Sequence, residues 1–596
     1  MITLQSFLTP DPEICSEQAL YAHLKGAAVY SQSRQSYMME RGGEVRLDTY
    51  VNLFSLDTWA RGCQLDGLCA EIYGQGRLGV RVYHMREGRS TERVFSDVLT
   101  LTPEQPAQLD LDHLADGNSD GLLYLRLVAM ADGTEVSGGR FATRSLPADR
   151  PLPRLTISIT TFARETEVQR TVERLETFLA EHAYRDQIRV QVVDNGAEAG
   201  CPAQIESRGA ITAYDNPNLG GAGGFARGLL EAEEAGASHC LFMDDDASFH
   251  MENIARTYIF LALAHDPATA VAGAMITNTH KWRMWESGAW FDGSCRPLFN
   301  GVDLREPEEV IEMALQAPHI HRPTLYGGWW FFAFPIKAVT RHPFPFFVRG
   351  DDINFSLANE FNIRTLNGVV SFQDDFTEKE SAQTLYLDLR NHLVQHLTIP
   401  ELKRSALGTA KVAIYFTLRS LLRYHYSTAA VQLMAWQDVM KGPQFFEENI
   451  DMSERRATIK EMSADEAWQP IAQVDLSEHR KGVATWSHRA RHYWGLFTLN
   501  GHILPCGGAS KLVVDINRRA LVIRAFGAAR VSYINTNRDK AYTVARDRRR
   551  FFTLMWQMAK LTWQFRRDFD SLQNSYGAGY ESRTTKGFWQ RILGKA

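Results

Sequence analysis

The chain has 596 residues, of which 44% are hydrophobic and 23% charged, with a formal net charge of −5. That length exceeds a single core, and the apolar fraction excludes a disordered or fibrous protein. Seven cysteines without a CxxC pair exclude a disulfide scaffold or zinc ribbon and fit a reducing compartment, while near-neutral charge speaks against generic nucleic-acid binding.

Residues 1–150 read as β-structure. Glu44–Tyr50 and Leu78–Tyr83 alternate apolar with polar residues, and turns at Ala115–Asn118 and Ala131–Gly133 punctuate the pattern. That is the signature of a β-sandwich or jelly-roll. The three prolines of Pro147–Pro153 mark a linker. The period then changes. Strands are expected at Leu155–Thr161, Ile188–Val193, Ala210–Tyr214 and Cys240–Met243, with helices at Glu167–Glu181 and Phe225–Ala235. Alternating strands and helices predict a mostly parallel sheet covered on both faces, with ligands gathered at the carboxyl ends of its strands. This α/β region is expected to span 151–395. Helical spacing over Val412–Tyr424 and Arg549–Phe565 predicts a mainly helical third region, 396–596. The longest apolar run, Trp329–Phe334, stops at Pro335, short of the roughly 18 residues of a membrane span. The first residues lack a signal-peptide pattern, so a cytoplasmic protein is expected.

The sharpest local signal is Asp244-Asp245-Asp246 at a strand end. Alternation along a strand puts Asp244 and Asp246 on one face, where two carboxylates attract a hard divalent cation such as Mn²⁺ or Mg²⁺. The competing reading is a helix-capping cluster. Gly221, Gly223 and Ala226 satisfy a GxGxxA dinucleotide pattern. The pattern follows a third strand rather than the first, however, and glycines that admit a diphosphate to backbone amides explain it more simply. Trp329 and Trp330 follow two glycines and precede Asp351 and Asp352. One indole can serve as a platform for a sugar ring and one carboxylate as a general base, against readings as core and as another helix cap.

In order, Thr160–Arg164, Val193–Gly196, Asn216–Gly224, Asp244–Asp246, Trp329-Trp330 and Asp351-Asp352 resemble the motifs of GT-A glycosyltransferases of family 2. They look most like the galactofuranosyltransferases that build galactan from UDP-galactofuranose, and the resemblance covers nearly the whole chain. It implies an α/β, Rossmann-like GT-A catalytic domain between an N-terminal β-sandwich or jelly-roll and a C-terminal helical region. It also implies an inverting, metal-dependent transferase with a UDP-sugar donor and a lipid-linked cell-surface glycan as acceptor. Arg164 and Asn218 would contact the diphosphate, with Thr160 and Asp194 near uracil and ribose, and Gly220, Gly221, Asp244 and Asp245 would complete the donor site. Asp244 and Asp246 would hold the metal. Asp352 would be the base, and Glu286, Trp329, Trp330, Asp351 and His392 would shape the acceptor side. The family's metal-binding histidine is replaced by Gln373, whose carbonyl is a doubtful substitute. Rival readings are another donor (UDP-galactopyranose or dTDP-rhamnose), a dehydrogenase using the glycine run, and a silent glycan-binding scaffold.

Arginines and lysines from Arg518 to Arg567, interleaved with Trp556, Trp563 and Phe565, and the cationic segment Lys586–Lys595 suit an anionic membrane surface. No nucleic-acid motif accompanies them. A solvated arginine face is the alternative. Peripheral attachment to the inner face of the cell membrane is therefore expected, and a homo-oligomer is left open.

Overall fold

The computed structural model describes residues 1–115, 120–148, 150–246, 248–374, 380–504 and 510–595. Part of the turn expected at Ala115–Asn118 lies outside them, as do Asp375 and Phe376, which follow Gln373 and Asp374. The central region is built from β1 (Leu155–Thr161), α1 (Glu165–Glu181), β2 (Ile188–Asp194), β3 (Ile211–Asp215), α2 (Gly220–Glu234), β4 (His239–Asp244), α3 (Glu252–Leu263), β5 (Thr269–Ala272), β6 (Phe331–Pro335), α4 (Asp351–Ala358) and β7 (Asn362–Arg364). The strands form one sheet in the order β3-β2-β1-β4-β6-β5-β7. The first four run parallel, β6 is antiparallel to both its neighbours, and β7 is parallel to β5. β-branched residues fill β1 and β2, which are buried almost throughout, as expected of strands covered on both faces. α1 buries Val168, Val172, Leu175 and Leu179 at helical spacing. Register puts Thr161 opposite Asp194 and Thr160 opposite Asp244. The polar strand ends therefore share one edge.

Residues before 147 form an antiparallel assembly organised on the long strand Cys69–Met85, which pairs with Glu92–Leu101, Leu122–Ala129 and Thr134–Thr143. Its apolar face does not close on itself alone. Val80, Leu125 and Phe141 belong to the same continuous core as Ile157, Val190 and Phe260, and Trp59 meets Phe260 edge-on at 5.2 Å. The proline segment thus joins two regions that are packed together.

Beyond residue 380 come α5 (Ala382–Thr398), α6 (Ala406–Leu422), α7 (Tyr426–Met440), α8 (His488–Phe497), α9 (Arg548–Arg583) and α10 (Lys586–Ile592). Helices are not the whole of this region. A sheet of four strands, in the order Gln469–Pro470, Lys540–Ala545, Arg530–Ile534, Lys511–Asp515, lies between α7 and α9. Its inward residues, Val531, Tyr533, Tyr542 and Val544, occur in strands too short and too closely flanked by arginine and lysine to stand out. Arg530 and Lys540 accordingly sit on strands, whereas Lys560, Arg566 and Arg567 ride on α9. The segment Lys586–Lys595 departs from expectation too: Phe588 and Trp589 are 3% and 0% exposed and pack on α2, so its aromatic side does not face solvent. No described helix is long and apolar enough to cross a membrane.

Candidate active-site cleft

At the carboxyl edge of the sheet a cavity of about 410 Å³ is walled by Thr160, Thr161, Phe162, Arg164, Asn218, Gly220, Gly221 and all three aspartates Asp244–Asp246. β1 ends here, and the chain turns through Ala163, whose φ of +54° is a conformation costing an L residue on the order of 1 kcal/mol. The turn returns Arg164 to the aspartates. Its guanidinium donates to Asp245 Oδ1 at 3.2 Å and pairs with Asp246. Asp245 also accepts from Thr161 Oγ1 at 2.6 Å. Burial nonetheless pushes its pKa up to about 6, against the lowering effects of Thr161 and Arg164.

The glycine run forms the opposite wall. Gly220 has φ +68°, and a Cβ there would overlap Phe347 O. A Cβ at Gly224 would overlap Thr160. Asn195 Nδ2 donates to Gly220 O at 3.0 Å, and Asn218 Oδ1 accepts from Gly220 N at 3.2 Å. The first turn of α2 thus borders the cleft with its positive dipole end, which favours a phosphate, while the N–H groups of Gly220 and Ala222 are already taken by Asn218 Oδ1 and Phe347 O. Asp194 is placed differently from the expectation. Both its oxygens accept from backbone, Gly196 N at 2.7 Å and Ala203 N at 2.6 Å. It organises the loop after β2 and is not among the residues lining the cavity.

A second cavity of about 400 Å³ adjoins the first and shares Gly221, Phe225, Asp244 and Val348 with it. Its other walls include Glu286, Tyr326, Trp329, Trp330, Arg349, Asp351, Asp352, Asp388 and His392. Asp244 therefore faces both compartments, and Asp352 opens into the same space. Both tryptophans are largely buried, at 5% and 7% exposed, and both line this cavity. Trp330 Nε1 donates to Gly273 O at 3.0 Å, whereas Trp329 Nε1 and His392 Nδ1 are buried without a partner among the described residues. These are donors or acceptors that a bound sugar can satisfy.

Asp351 and Asp352 occupy the first turn of α4, and Asp352 Oδ1 accepts from Ile353 N at 2.8 Å. Both line the cavity as well, and the N-cap itself is Gly350, with no side-chain capping bond among the described residues. The approach to them is strained: Phe347, Arg349 and Gly350 have φ of +75°, +73° and +72°. α5 holds this turn through Arg390 to Phe346 O (2.5 Å), Asn391 to Val348 O (3.0 Å) and Arg349 O (2.6 Å), and Gln395 to Gly350 O (2.7 Å). Charge-assisted and amide bonds of this kind offset the strain.

Burial sorts the carboxyls by proton affinity. It raises Asp352 to about 6, with the Ile353 N–H and the Arg349 charge limiting the rise. Asp351 is driven well above its usual range by burial and by the Asp352 charge, and Glu286 is pushed up to about 8 by the same two causes in the same order. Burial thus raises the proton affinity of every one of these carboxyls, Glu286 above Asp352, and such a separation is the kind from which acid and base assignments follow.

Asp244 and Asp246 line one cavity and offer oxygens, and two carboxylates completed by phosphate oxygens and water make an ordinary Mg²⁺ set. That part of the expected metal site fits. Gln373 lies apart from it: it is 3% exposed and outside the cavity wall, and its amide nitrogen has no partner among the described residues. Among the described residues no group of three or more His, Cys, Asp or Glu converges to hold a metal.

Sequence reasoning missed Asp388, Arg349 and the amides of Asn391 and Gln395. Asp388 lies four residues before His392 on α5, so the same helical face brings both into the cavity. That spacing was the available signal. Asp388 is 4.0 Å from Arg349, and burial pushes its pKa up to about 6.

No protein-family model matches the chain. Among solved structures, a family two carbohydrate esterase from Cellvibrio japonicus covers 32% of this chain and 52% of its own at 14% identity, with a TM-score of 0.14, which carries no structural argument. Among curated proteins, the galactofuranosyltransferase GlfT2 of Mycobacterium tuberculosis is 26% identical over 442 residues, covering 70% of this chain and 68% of its own. GlfT2 of Mycolicibacterium smegmatis is 24% identical over 443 residues, covering 70% and 67%. The chain is thus similar to bacterial galactofuranosyltransferases over more than two thirds of each sequence, the group to which its order of motifs points.

Proposed function

We propose that the chain is an inverting galactofuranosyltransferase of GT-A type that moves galactofuranose from UDP-galactofuranose to a hydroxyl of a glycan acceptor. One observation carries the reading. A cleft with a guanidinium and the N-terminal turn of α2 at one end and buried ionisable carboxyls, Asp352 among them, at the other is continuous through Asp244.

In this reading the diphosphate lies against Arg164 and the first turn of α2, and the sugar spans the shared wall at Gly221 and Asp244. The acceptor hydroxyl enters beside Asp352. Asp352 takes its proton, the hydroxyl oxygen bonds to the anomeric carbon, and the bond from that carbon to the diphosphate oxygen breaks. UDP departs with the electron pair, and Arg164 meets its charge. A divalent cation held by Asp244 and Asp246 would supply Lewis acidity at the leaving group. Glu286, raised to about 8, can donate to the acceptor without competing for its proton. Purified protein, UDP-galactofuranose, Mn²⁺ and a galactose-terminated acceptor should release UDP. Release with UDP-galactopyranose or dTDP-rhamnose and not with the furanose would move the reading to another donor, and silence with every donor would leave a glycan-binding scaffold.

A lipid-linked acceptor is part of the proposal. Tyr493 and Phe497 on α8 are 70% and 69% exposed, and Trp556 and Trp563 on α9 are 66% and 62% exposed. Lys560 and Arg567 lie over the two indoles at 5.7 and 5.1 Å. Aromatic and basic side chains so mixed suit an anionic lipid surface. Co-sedimentation with anionic vesicles should fall when these four aromatics are replaced by serine. Unchanged binding would remove the membrane from the proposal.

A further inference from the structure

The first turn of α2 has little helical tendency of its own, since Gly220, Gly221, Gly223 and Gly224 all lie in it, and glycine is a poor helix former. Something outside must hold it. Phe347 O accepts from Ala222 N at 3.0 Å on one side. On the other, Leu219, Ala226 and Leu230 pack against Phe588 and Trp589 of α10. Trp589 is fully buried, and its Nε1 donates to Pro343 O at 2.8 Å. One indole therefore shares a core cluster with the residue preceding the glycines and hydrogen-bonds the segment leading to Asp351 and Asp352.

The charges make the same contact. Glu231, Glu233 and Glu234 crowd the last turn of α2, the end at which the helix dipole disfavours negative charge. Lys586 meets Glu233 at 2.7 Å, and Lys595 meets Glu231 and Glu234 at 2.5 and 2.9 Å. At the other wall, Thr584 O accepts from His342 N at 2.8 Å, and Tyr580 Oη donates to Asn354 of α4 at 2.8 Å.

We infer that the end of α9 together with α10 is a brace that sets the spacing between the phosphate-facing turn of α2 and the turn carrying the catalytic base, with Trp589 as its positioning residue. This rests on the function proposed above for the cleft. The aromatic, cationic segment acts on the active site, and the membrane-facing role expected from its composition is not needed to explain it.

Amide hydrogen exchange on the full chain tests the brace without depending on turnover. Trp589→Ala should speed exchange at residues 219–226 and 343–350 by about tenfold while leaving β1 and β4 protected, because local opening differs from global unfolding. UDP affinity, measured by titration with UDP itself, should weaken in parallel, and Trp589→Phe, which keeps the ring and loses the N–H, should fall between. If Trp589→Ala does not fold, the double variant Lys586→Ala/Lys595→Ala removes the ion pairs and should show the same local pattern more weakly. Unchanged exchange in both segments, or equal acceleration in β1 and β4, overturns the brace. Absence of UDP binding by the parent chain would instead sink the functional proposal and leave the exchange result standing.

Discussion

The two ends of the cleft are built by different means. The donor end is a strand-edge construction: Thr160, Thr161 and Asp244–Asp246 follow one another along adjacent parallel strands, and Arg164 pairs with Asp245 and Asp246. The acceptor end is assembled from segments far apart in sequence, around 286, 326–330, 349–352 and 388–392, and its carboxyls are buried and largely unmatched. A guanidinium beside clustered carboxylates suits a diphosphate that arrives with a divalent cation to offset the excess negative charge. Unmatched buried carboxyls suit proton transfer, because small differences in environment move their pKa values apart.

The comparison predicts that substitutions at the two ends fail in different ways. Asp352→Asn should lower kcat by about 10³-fold, within the range attributable to a general base, and leave UDP affinity almost unchanged. Retained turnover, measured by released UDP, would remove Asp352 as the base. Arg164→Ala should act mainly through the donor, raising its KM by roughly 10–100-fold, as expected for loss of a charge-assisted pair worth about 1.5–3 kcal/mol. A pure kcat effect there would erase the distinction between the ends. Gly224→Ala should destabilise the fold by about 1–3 kcal/mol in denaturant titration, because its methyl group meets Thr160 in a packed wall.

Much of the donor end was legible because it obeys local rules. Strand periodicity located β1, β2, β3 and β4 to within a residue or two, and the position of Asp244–Asp246 followed from where β4 ends. Asp194 also sits at a strand end, yet backbone N–H groups of its own loop claim both oxygens. Sequence position cannot show that competition. The acceptor end was less legible because its walls depend on tertiary approach: Asp388 is brought to Arg349 by the docking of α5 on the turn before α4. The α10 segment misled for a related reason. Its cationic, aromatic composition is equally suited to lipid and to an acidic helix, and only the three glutamates of α2 decide between them.

The smallest expected effect concerns pH and Glu286. Because burial raises Asp352 to about 6, the base form is lost as pH falls through that value, so the acidic limb of the rate profile should lie near 6. Glu286, raised to about 8, is mostly neutral at pH 7 and ionises only as pH rises through 8. A second negative charge in the cavity then opposes the departing diphosphate, and a basic limb should appear near 8. Glu286→Gln keeps a neutral hydrogen-bonding group in the same space, so it should preserve the rate at pH 7 within about threefold, an effect under 1 kcal/mol. The same variant should flatten the basic limb while leaving the acidic limb in place. A profile in which Glu286→Gln erases the acidic limb would assign the base to Glu286, and the sorting of carboxyls at the acceptor end would have to be reversed.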